Sequence, residues 1–331
     1  AGRDGNTIPF IARYRKEQTG SLDDQLLREI YERLQYLRGL DKRRGEIAAA
    51  LEEQGNLTDE LSDRLQKAAT LTELEDLYRP FRPKRRTRAT VAREKGLEPL
   101  ALALLMQNET KGTAQDLAQP YVNPEKGVET AEDALQGARD ILAEQMSDDA
   151  DVRKSLRALA MRTGVLESKN TGEEDSVYAT YYDFSQEARN LPAHRVLAMN
   201  RGEREGFLKV SLRLSDAACV DVLEKAFVRP GSVTTEQVAL AAQDAWDRLL
   251  QPSIEREIRA DLTERASASA IQVFGKNLHQ LLMAPPVKGR VTLGVDPGFR
   301  TGCKLAVVDE NGKVLATGVG HFTLPGQEAA K

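Results

Sequence analysis

The chain has 331 residues, which is more than one compact domain usually contains, so two or more folding units are expected. A hydrophobic fraction of 40% and a charged fraction of 30% are typical of a globular protein in water. The longest apolar runs, such as residues 100–106, are too short to span a bilayer, and the first residues contain no apolar signal region. We therefore expect a cytoplasmic protein without a membrane partner.

The formal net charge of −4 is unevenly distributed. Residues 1–95 contain 20 Lys and Arg against 17 Asp and Glu, whereas residues 96–185 contain 8 against 17. The remaining two stretches, 186–290 and 291–331, are close to balance. Because charge interactions are screened within about 10 Å at ordinary salt, the local charge of each stretch matters more for partners than the whole-chain value.

Residues 1–164 are predicted to form a multi-helix domain. Leu26, Ile30, Leu34 and Leu37 recur at the three- and four-residue spacing of an amphipathic helix. The start of that helix is expected at Ser21. Further starts are expected at a capping box of Thr72 and Glu75 and at Thr130, and Gly164 is expected to end the last helix of the domain.

A mixed segment with a long helical region is predicted over residues 165–286. Alternation of apolar and polar residues from Phe207 to Leu214 favours a strand. Helical periodicity returns at about Thr235 and continues as one long helix or a broken pair until the prolines at 285 and 286.

Residues 287–331 differ again, with short apolar runs rich in β-branched residues. Asn311 and Gly312 separate two of these runs and form the strongest short hairpin signal, so three consecutive antiparallel strands are predicted. Cys219 and Cys303 lack the partners that a disulfide framework or a zinc site needs and are interpreted as packing residues.

The sharpest candidate site is a run of cations interrupted by two prolines. The prolines keep its first half extended, so the side chains are displayed around the chain, and arginine can bind phosphate with two hydrogen bonds. Nucleic-acid binding is therefore one reading, and binding to the acidic face of residues 96–185 within the same protein is the other. The run consists of Arg79, Arg82, Lys84, Arg85, Arg86 and Arg88, with Tyr78 and Phe81 nearby.

A second basic cluster near the start of the chain contains Arg13, Arg15 and Lys16. The neighbouring Phe10 and Tyr14 are expected mainly to pack on one side of a helical turn, which leaves the cations outward and available to nucleic acid.

Asp296 follows the first strand of the final region and is the one candidate for a catalytic carboxylate. Two-metal hydrolysis of a phosphodiester needs several converging carboxylates, so a single aspartate is insufficient. The alternative is that Asp296 only forms a turn before Pro297 and Gly298. The three histidines show no metal-ligand spacing, and no metal site or cofactor is predicted.

Five segments of the chain resemble blocks of the Tex (transcription accessory) family, in the same order. They are N-T-I-P-F-I-A-R-Y-R-K-E-Q-T-G (6–20), E-L-E-D-L-Y-R-P-F-R-P-K-R-R-T-R-A (73–89), A-R-E-K-G-L-E-P-L-A (92–101), H-R-V-L-A-M-N-R-G-E (194–203) and L-G-V-D-P-G-F-R-T-G-C-K (293–304). The resemblance implies a helical region with helix-turn-helix character, followed by the first strands of a truncated YqgF domain of the RNase H-like (α/β) fold.

The resemblance implies that the protein is a nonenzymatic, RNA-binding transcription accessory factor that contacts the transcription machinery. Binding of RNA or DNA by this part of it is expected to be weak, and Asp296 is expected to be vestigial. The alternatives are a metal-dependent nuclease or resolvase of the YqgF/RuvC type, which would need further carboxylates beside Asp296, and a protein-interaction scaffold whose basic clusters bind an acidic partner.

Overall fold

The computed structural model describes residues 7–172, 176–285, 289–298 and 302–321. The chain divides into two compact units, Ala1–Ala266 and Ser267–Lys331. The predicted fold class, a mainly helical chain with a small α+β segment and a short sheet near its end, is confirmed. The finer division at residues 164 and 286 stays a prediction.

The α-helices are α1 (Ile8–Tyr14), α2 (Lys16–Thr19), α3 (Asp24–Glu53), α4 (Asp59–Lys67), α5 (Leu71–Tyr78), α6 (Arg88–Glu94), α7 (Glu98–Met106), α8 (Ala114–Ala118), α9 (Ala131–Asp148), α10 (Ala150–Thr163), α11 (Ala193–Arg204), α12 (Asp216–Phe227), α13 (Thr235–Asp244) and α14 (Gln251–Leu282). The strands are β1 (Val165–Asn170), β2 (Asp183–Glu187), β3 (Leu208–Arg213), β4 (Thr292–Asp296), β5 (Cys303–Val308) and β6 (Val314–Gly320).

Two of the predicted helix starts are wrong by two residues. Helix α3 is capped by Asp23 and not by Ser21, whose φ of 63° is incompatible with the extended backbone that an N-cap residue adopts. Helix α5 is capped by Thr70, whose side chain accepts a hydrogen bond from the Glu73 amide. In both cases a second capping residue lay close by in the sequence, and local spacing could not choose between them.

The later helix boundaries agree with the sequence. Thr130 caps α9 with a reciprocal capping box to Asp133, and Gly164 follows the end of α10.

The larger hydrophobic core surrounds α9 and takes side chains from α6, α7, α10 to α14 and the inner face of the sheet formed by β1 to β3. A smaller core lies between the second half of α3, α4 and α5, with Leu51 and Leu74 fully buried. The first half of α3 is different, because the side chains that gave it its amphipathic pattern are 38–49% exposed. These are Leu26, Ile30, Leu34 and Leu37.

The first sheet has the strand order β2-β1-β3, and both pairings are antiparallel. The predicted strand after Phe207 is confirmed as β3, with Leu208, Val210 and Leu212 turned toward the core. Strands β1 and β2 were not predicted individually, because polar residues occupy most of their positions.

A six-residue π-helical stretch, Ala245–Leu250, joins α13 to α14. The sequence predicted either one long helix or a broken pair in this region. The structure has one long helix, α14, after residue 250. Trp246 in the π-helical stretch is fully buried, and its Nε1 donates a hydrogen bond of 2.9 Å to Asp216. Within the part of the chain that the structure describes, no helix is both long and apolar enough to cross a membrane.

The second unit contains the end of α14 and a sheet of order β4-β5-β6, and the three predicted antiparallel strands are confirmed. Gly302 has a φ of 81°, and a Cβ at this position would lie 2.7 Å from the side chain of Val319. Only glycine fits there. Residues 299–301 and 322–331 lie outside the described residues.

Candidate nucleic-acid interface

The predicted cation run lies on the connection between α5 and α6. A 3₁₀ turn, Arg79–Phe81, follows α5 directly, and the backbone then becomes extended at Arg82. The connection ends at Thr87, which caps α6 by accepting a hydrogen bond of 3.1 Å from the Thr90 amide. The prediction that the first half of the run is extended is therefore wrong for Arg79–Phe81, because a proline is compatible with the first turn of a helix, and the extended backbone begins only at Arg82.

The first half of the run contacts carboxylates of the same chain. Arg82 pairs with Glu75 of α5, and Lys84 pairs with Asp148 and lies 3.6 Å from Glu144 of α9. Glu144 and Asp148 belong to the acidic stretch that the intramolecular reading proposed. The charge of Lys84 is therefore paired within the chain, with carboxylates of α9.

Arg79 is partly enclosed, with Asp76 and Glu257 each at 3.9 Å from its guanidinium. Its Nε atom is buried and has no hydrogen-bond partner among the described residues. The arginine lies at the rim of a buried ion-pair cluster that holds three helices together, and it is not presented to solvent as an isolated cation.

That cluster was not visible in the sequence. Arg153 of α10 is 1% exposed and binds Asp76 of α5 at 3.0 Å and Glu257 of α14 through its guanidinium. Arg157, one turn further along α10, contacts the same two carboxylates. Burial lowers the pKa of Arg153, and the two carboxylates oppose that effect. The partners are 77 to 104 residues apart in sequence, so no local pattern could have identified them.

The second half of the run is exposed. Arg85 and Arg88 are exposed and form no ion pair among the described residues. Arg86 pairs at 2.8 Å with Glu94, but its side chain remains 70% exposed. Three guanidinium groups are thus presented together at the start of α6.

An open groove of about 590 Å³ runs beside these arginines, between α6 and α9. Arg86, Arg88 and Lys95 line one side, and Asp133 and Asp140 line the other. Burial raises the pKa of Asp140, against the opposing effect of Arg248 at 3.2 Å and of Arg88. The groove therefore has mixed charge, with its cations on the α6 side.

The aromatic side chains near the run are already engaged. The Tyr78 ring has the guanidinium of Arg82 at 5.7 Å and that of Arg43 at 5.8 Å from its centroid. Phe81 packs against the smaller hydrophobic core. Both rings are therefore in contact with other parts of the chain.

The second predicted cluster lies on α1 and at the start of α2. Arg13, Arg15 and Lys16 are exposed and form no ion pair within the described ranges. Phe10 and Tyr14 contact each other, with ring centroids 5.1 Å apart, but they are 38% and 64% exposed. Only Ile11 of this turn is buried, so packing of the aromatics is less complete than the sequence suggested.

Asp296 is the last residue of β4 and lies opposite Lys304 of β5 in the register. Its side chain is exposed. Among the described residues there is no group of three His, Cys, Asp or Glu side chains that could hold a metal ion.

Three family descriptions match the chain. Residues 109–274 match the Tex central region-like family, residues 2–52 match the Tex-like protein N-terminal domain, and residues 290–331 match the Tex protein YqgF-like domain. The last match supports the start of an RNase H-like domain at β4 to β6. The matches cover most of the chain in the order that the sequence blocks suggested.

Curated relatives agree with these matches. The chain is 44% identical over 331 residues to "Protein tex" of Bordetella pertussis and 42% identical over 325 residues to "Transcriptional accessory protein Tex" of Neisseria gonorrhoeae, in each case over 95% of the chain and 42% of the relative. It is 35% identical to the human "S1 RNA-binding domain-containing protein 1", over 96% of the chain and 33% of that protein. The chain therefore spans less than half the length of these relatives. Since one family description covers half of the chain and two others flank it, the chain belongs to the Tex family.

Proposed function

We propose that this chain is part of a nonenzymatic transcription accessory factor that binds nucleic acid, and that its own contribution is weak, sequence-independent contact with phosphates. The observation that carries the proposal is the group of three outward guanidinium groups on Arg85, Arg86 and Arg88. The names of two relatives, a transcriptional accessory protein and an S1 RNA-binding domain-containing protein, support RNA as the ligand. A cytoplasmic location and contact with the transcription machinery belong to the same proposal.

The paired first half of the run has a role in this proposal. The ion pairs of Arg82 with Glu75 and of Lys84 with α9 hold the connection in place, so Arg85, Arg86 and Arg88 are presented on a fixed support. A preorganised cation group loses less conformational entropy on binding than three free side chains on a mobile loop. Arg79, Arg82 and Lys84 are then positioning residues of the interface. Arg13, Arg15 and Lys16 are a second, separate contact.

At the start of α6, the proposed contact is with phosphates and not with bases. Sequence preference requires hydrogen bonds to base edges or stacking on an aromatic ring. The rings of Tyr78 and Phe81 are engaged within the chain, and the exposed groups at the start of α6 are guanidinium groups, which bind phosphate oxygens with two hydrogen bonds.

The proposal is tested by the salt dependence of binding to a fluorescently labelled single-stranded RNA. If Arg85, Arg86 and Arg88 each neutralise one phosphate, the logarithm of the affinity falls with the logarithm of salt at a slope of about −2 from this cluster. Replacing all three with Ala is expected to remove that part of the slope and to weaken binding at low salt by about tenfold or more.

A matched control replaces three exposed arginines elsewhere in the first unit, Arg162, Arg204 and Arg229, with Ala. This variant has the same net charge as the first but keeps the start of α6 unchanged. Equal losses of affinity and slope in the two triple variants would mean that only net charge matters, and the assignment of the interface would be wrong.

A further inference from the structure

The two outer edges of the first sheet differ in whether side chains from elsewhere in the chain bond to their backbone groups. Strand β1 lies in the middle, so β2 and β3 each have one side that faces away from the sheet. Backbone groups on such a side can pair with another extended segment unless something blocks them.

The outer side of β3 is blocked by side chains. The Val210 amide donates to Glu203 at 3.2 Å, and the Val210 carbonyl accepts from Arg259 at 3.1 Å. The Leu212 amide donates to Glu255 at 2.9 Å. Three long side chains from α11 and α14 therefore occupy the hydrogen-bonding positions that a further strand would use.

The outer side of β2 has no such blockers among the described residues. The Asn170 amide donates to the Tyr182 carbonyl, and the Ala188 amide donates to the Gly164 carbonyl, which fixes the even-numbered residues of β2 as those that bond to β1. The backbone N–H and C=O groups of Asp183, Ser185 and Glu187 consequently point outward. All three residues are exposed.

We propose that the outer edge of β2 binds an extended segment of a partner protein, which adds a fourth strand to the sheet and has cations two positions on either side of its central residue. This mode of recognition takes its affinity from backbone hydrogen bonds and its specificity from alternate side chains. It is independent of the nucleic-acid interface proposed above.

The charges at the edge determine what kind of segment fits. The side chains of Asp183, Ser185 and Glu187 share the solvent-facing side of the sheet, because alternate residues of a strand point the same way. Asp183 forms no ion pair within the described residues, although Lys169 lies opposite it on β1, whereas Glu187 pairs with Arg189 at 2.9 Å and accepts from Asn190. A cation opposite Asp183 therefore contributes more to recognition than one opposite Glu187.

The same charges disfavour a second copy of this chain as the occupant. If two β2 strands paired in antiparallel fashion around Ser185, Asp183 of each copy would lie directly opposite Glu187 of the other. Like charges directly opposite each other on neighbouring strands are destabilising. The edge thus accepts a basic segment and rejects its own copy.

The other face of β2 offers a site for apolar side chains. Phe184 contacts Tyr181, with ring centroids 5.6 Å apart, and the guanidinium of Arg195 lies 5.4 Å from the Phe184 ring. Residues of the added strand next to Phe184 would extend this cluster, so β-branched residues are expected between the two cations.

A synthetic peptide, T-K-V-T-V-K-T with blocked ends, is the probe for this test. Titrated into the 15N-labelled chain, it is expected to shift the amide resonances of residues 183–187 and to slow hydrogen exchange at the amides of Asp183, Ser185 and Glu187. The control peptide T-E-V-T-V-E-T is expected to bind at least tenfold more weakly. Shifts confined to other residues, or equal binding of the two peptides, would overturn the proposal.

The decisive variant is Ser185→Pro, which removes an outward N–H without removing a hydrogen bond to β1, and proline is tolerated on edge strands for this reason. It is expected to weaken binding of T-K-V-T-V-K-T about tenfold or more, whereas Ser185→Ala, which keeps the N–H, is expected to leave it unchanged. Equal binding by both variants would refute strand addition.

Two further measurements remain informative if Ser185→Pro folds poorly. The peptide T-K-V-P-V-K-T lacks the central N–H and is expected to bind the unaltered chain at least tenfold more weakly than the parent peptide. Sedimentation of the unaltered chain is expected to show no self-association through β2. Self-association that Asp183→Lys alters would identify a second copy as the occupant and overturn the proposal.

Discussion

The buried ion-pair cluster gives a prediction about stability that depends on the charge count within it. Three guanidinium groups, on Arg79, Arg153 and Arg157, surround the two carboxylates of Asp76 and Glu257. The cluster therefore has one positive charge in excess. Removing an arginine makes the cluster neutral, whereas neutralising a carboxylate raises its net charge from +1 to +2.

Asp76→Asn is accordingly expected to be the most harmful single change in the cluster. The Asp76 side chain is 5% exposed and contacts all three arginines, so its loss leaves three cations around one carboxylate. Breaking a buried pair in this way costs about 3–5 kcal/mol in the free energy of unfolding.

Arg153→Met is expected to cost less, about 2 kcal/mol, although Arg153 is the most deeply buried member. Asp76 and Glu257 keep Arg157 as a partner, and methionine fills much of the vacated space. The cost comes mainly from the lost hydrogen bonds, including those to the Ser147 carbonyl and the Ser253 hydroxyl.

Urea unfolding followed by tryptophan fluorescence measures both changes directly. Trp246 is the only tryptophan of the chain and is fully buried in the larger core of the first unit, so its emission reports on that unit. Glu94→Gln, at the exposed pair with Arg86, is the control and is expected to leave the midpoint unchanged. If Arg153→Met destabilises the unit as much as Asp76→Asn or more, the charge-balance reasoning is wrong.

Two further predictions concern the chemistry of single side chains. No cleavage of RNA or DNA is expected with Mg²⁺ or Mn²⁺, because Asp296 has no second and third carboxylate beside it in the described residues; cleavage that Asp296→Asn abolishes would favour the nuclease alternative. Burial raises the pKa of the Cys219 thiol to about 11, so at pH 8 the native chain is expected to release one rapid equivalent of chromophore from Ellman's reagent, from Cys303. Cys303→Ser is expected to remove the rapid phase, and a rapid phase that persists in this variant would contradict the assigned burial.

The sequence predicted those features correctly that depend on residues close together in the chain. The capping box at Thr130, the end of α10 at Gly164 and the strands β4 to β6 are local features, and the structure agrees with them. Strands β1 and β2 are polar at most positions, because only one face of their sheet meets the core. Their pairing therefore depends on contacts that periodicity does not reveal.

For α3, the sequence predicted the helix and its apolar face but not how much of that face is buried. Spacing predicted the helix correctly, but it could not tell which turns would be covered. The second half packs against α4 and α5, whereas Ile30 and its apolar neighbours in the first half are half-exposed. Periodicity identifies the face of a helix that prefers burial, and the tertiary fold decides how much of that face is buried.

The cation run shows why a count of charges could not assign a function on its own. In the sequence its six cations look equivalent, and the two readings, nucleic-acid binding and internal pairing, applied to all of them. In the structure, Lys84 pairs with Asp148 of α9, while Arg85, one residue later, is exposed. Internal pairing is thus present for Arg82, Lys84 and Arg86, and binding of phosphate by the exposed Arg85, Arg86 and Arg88 is what we propose.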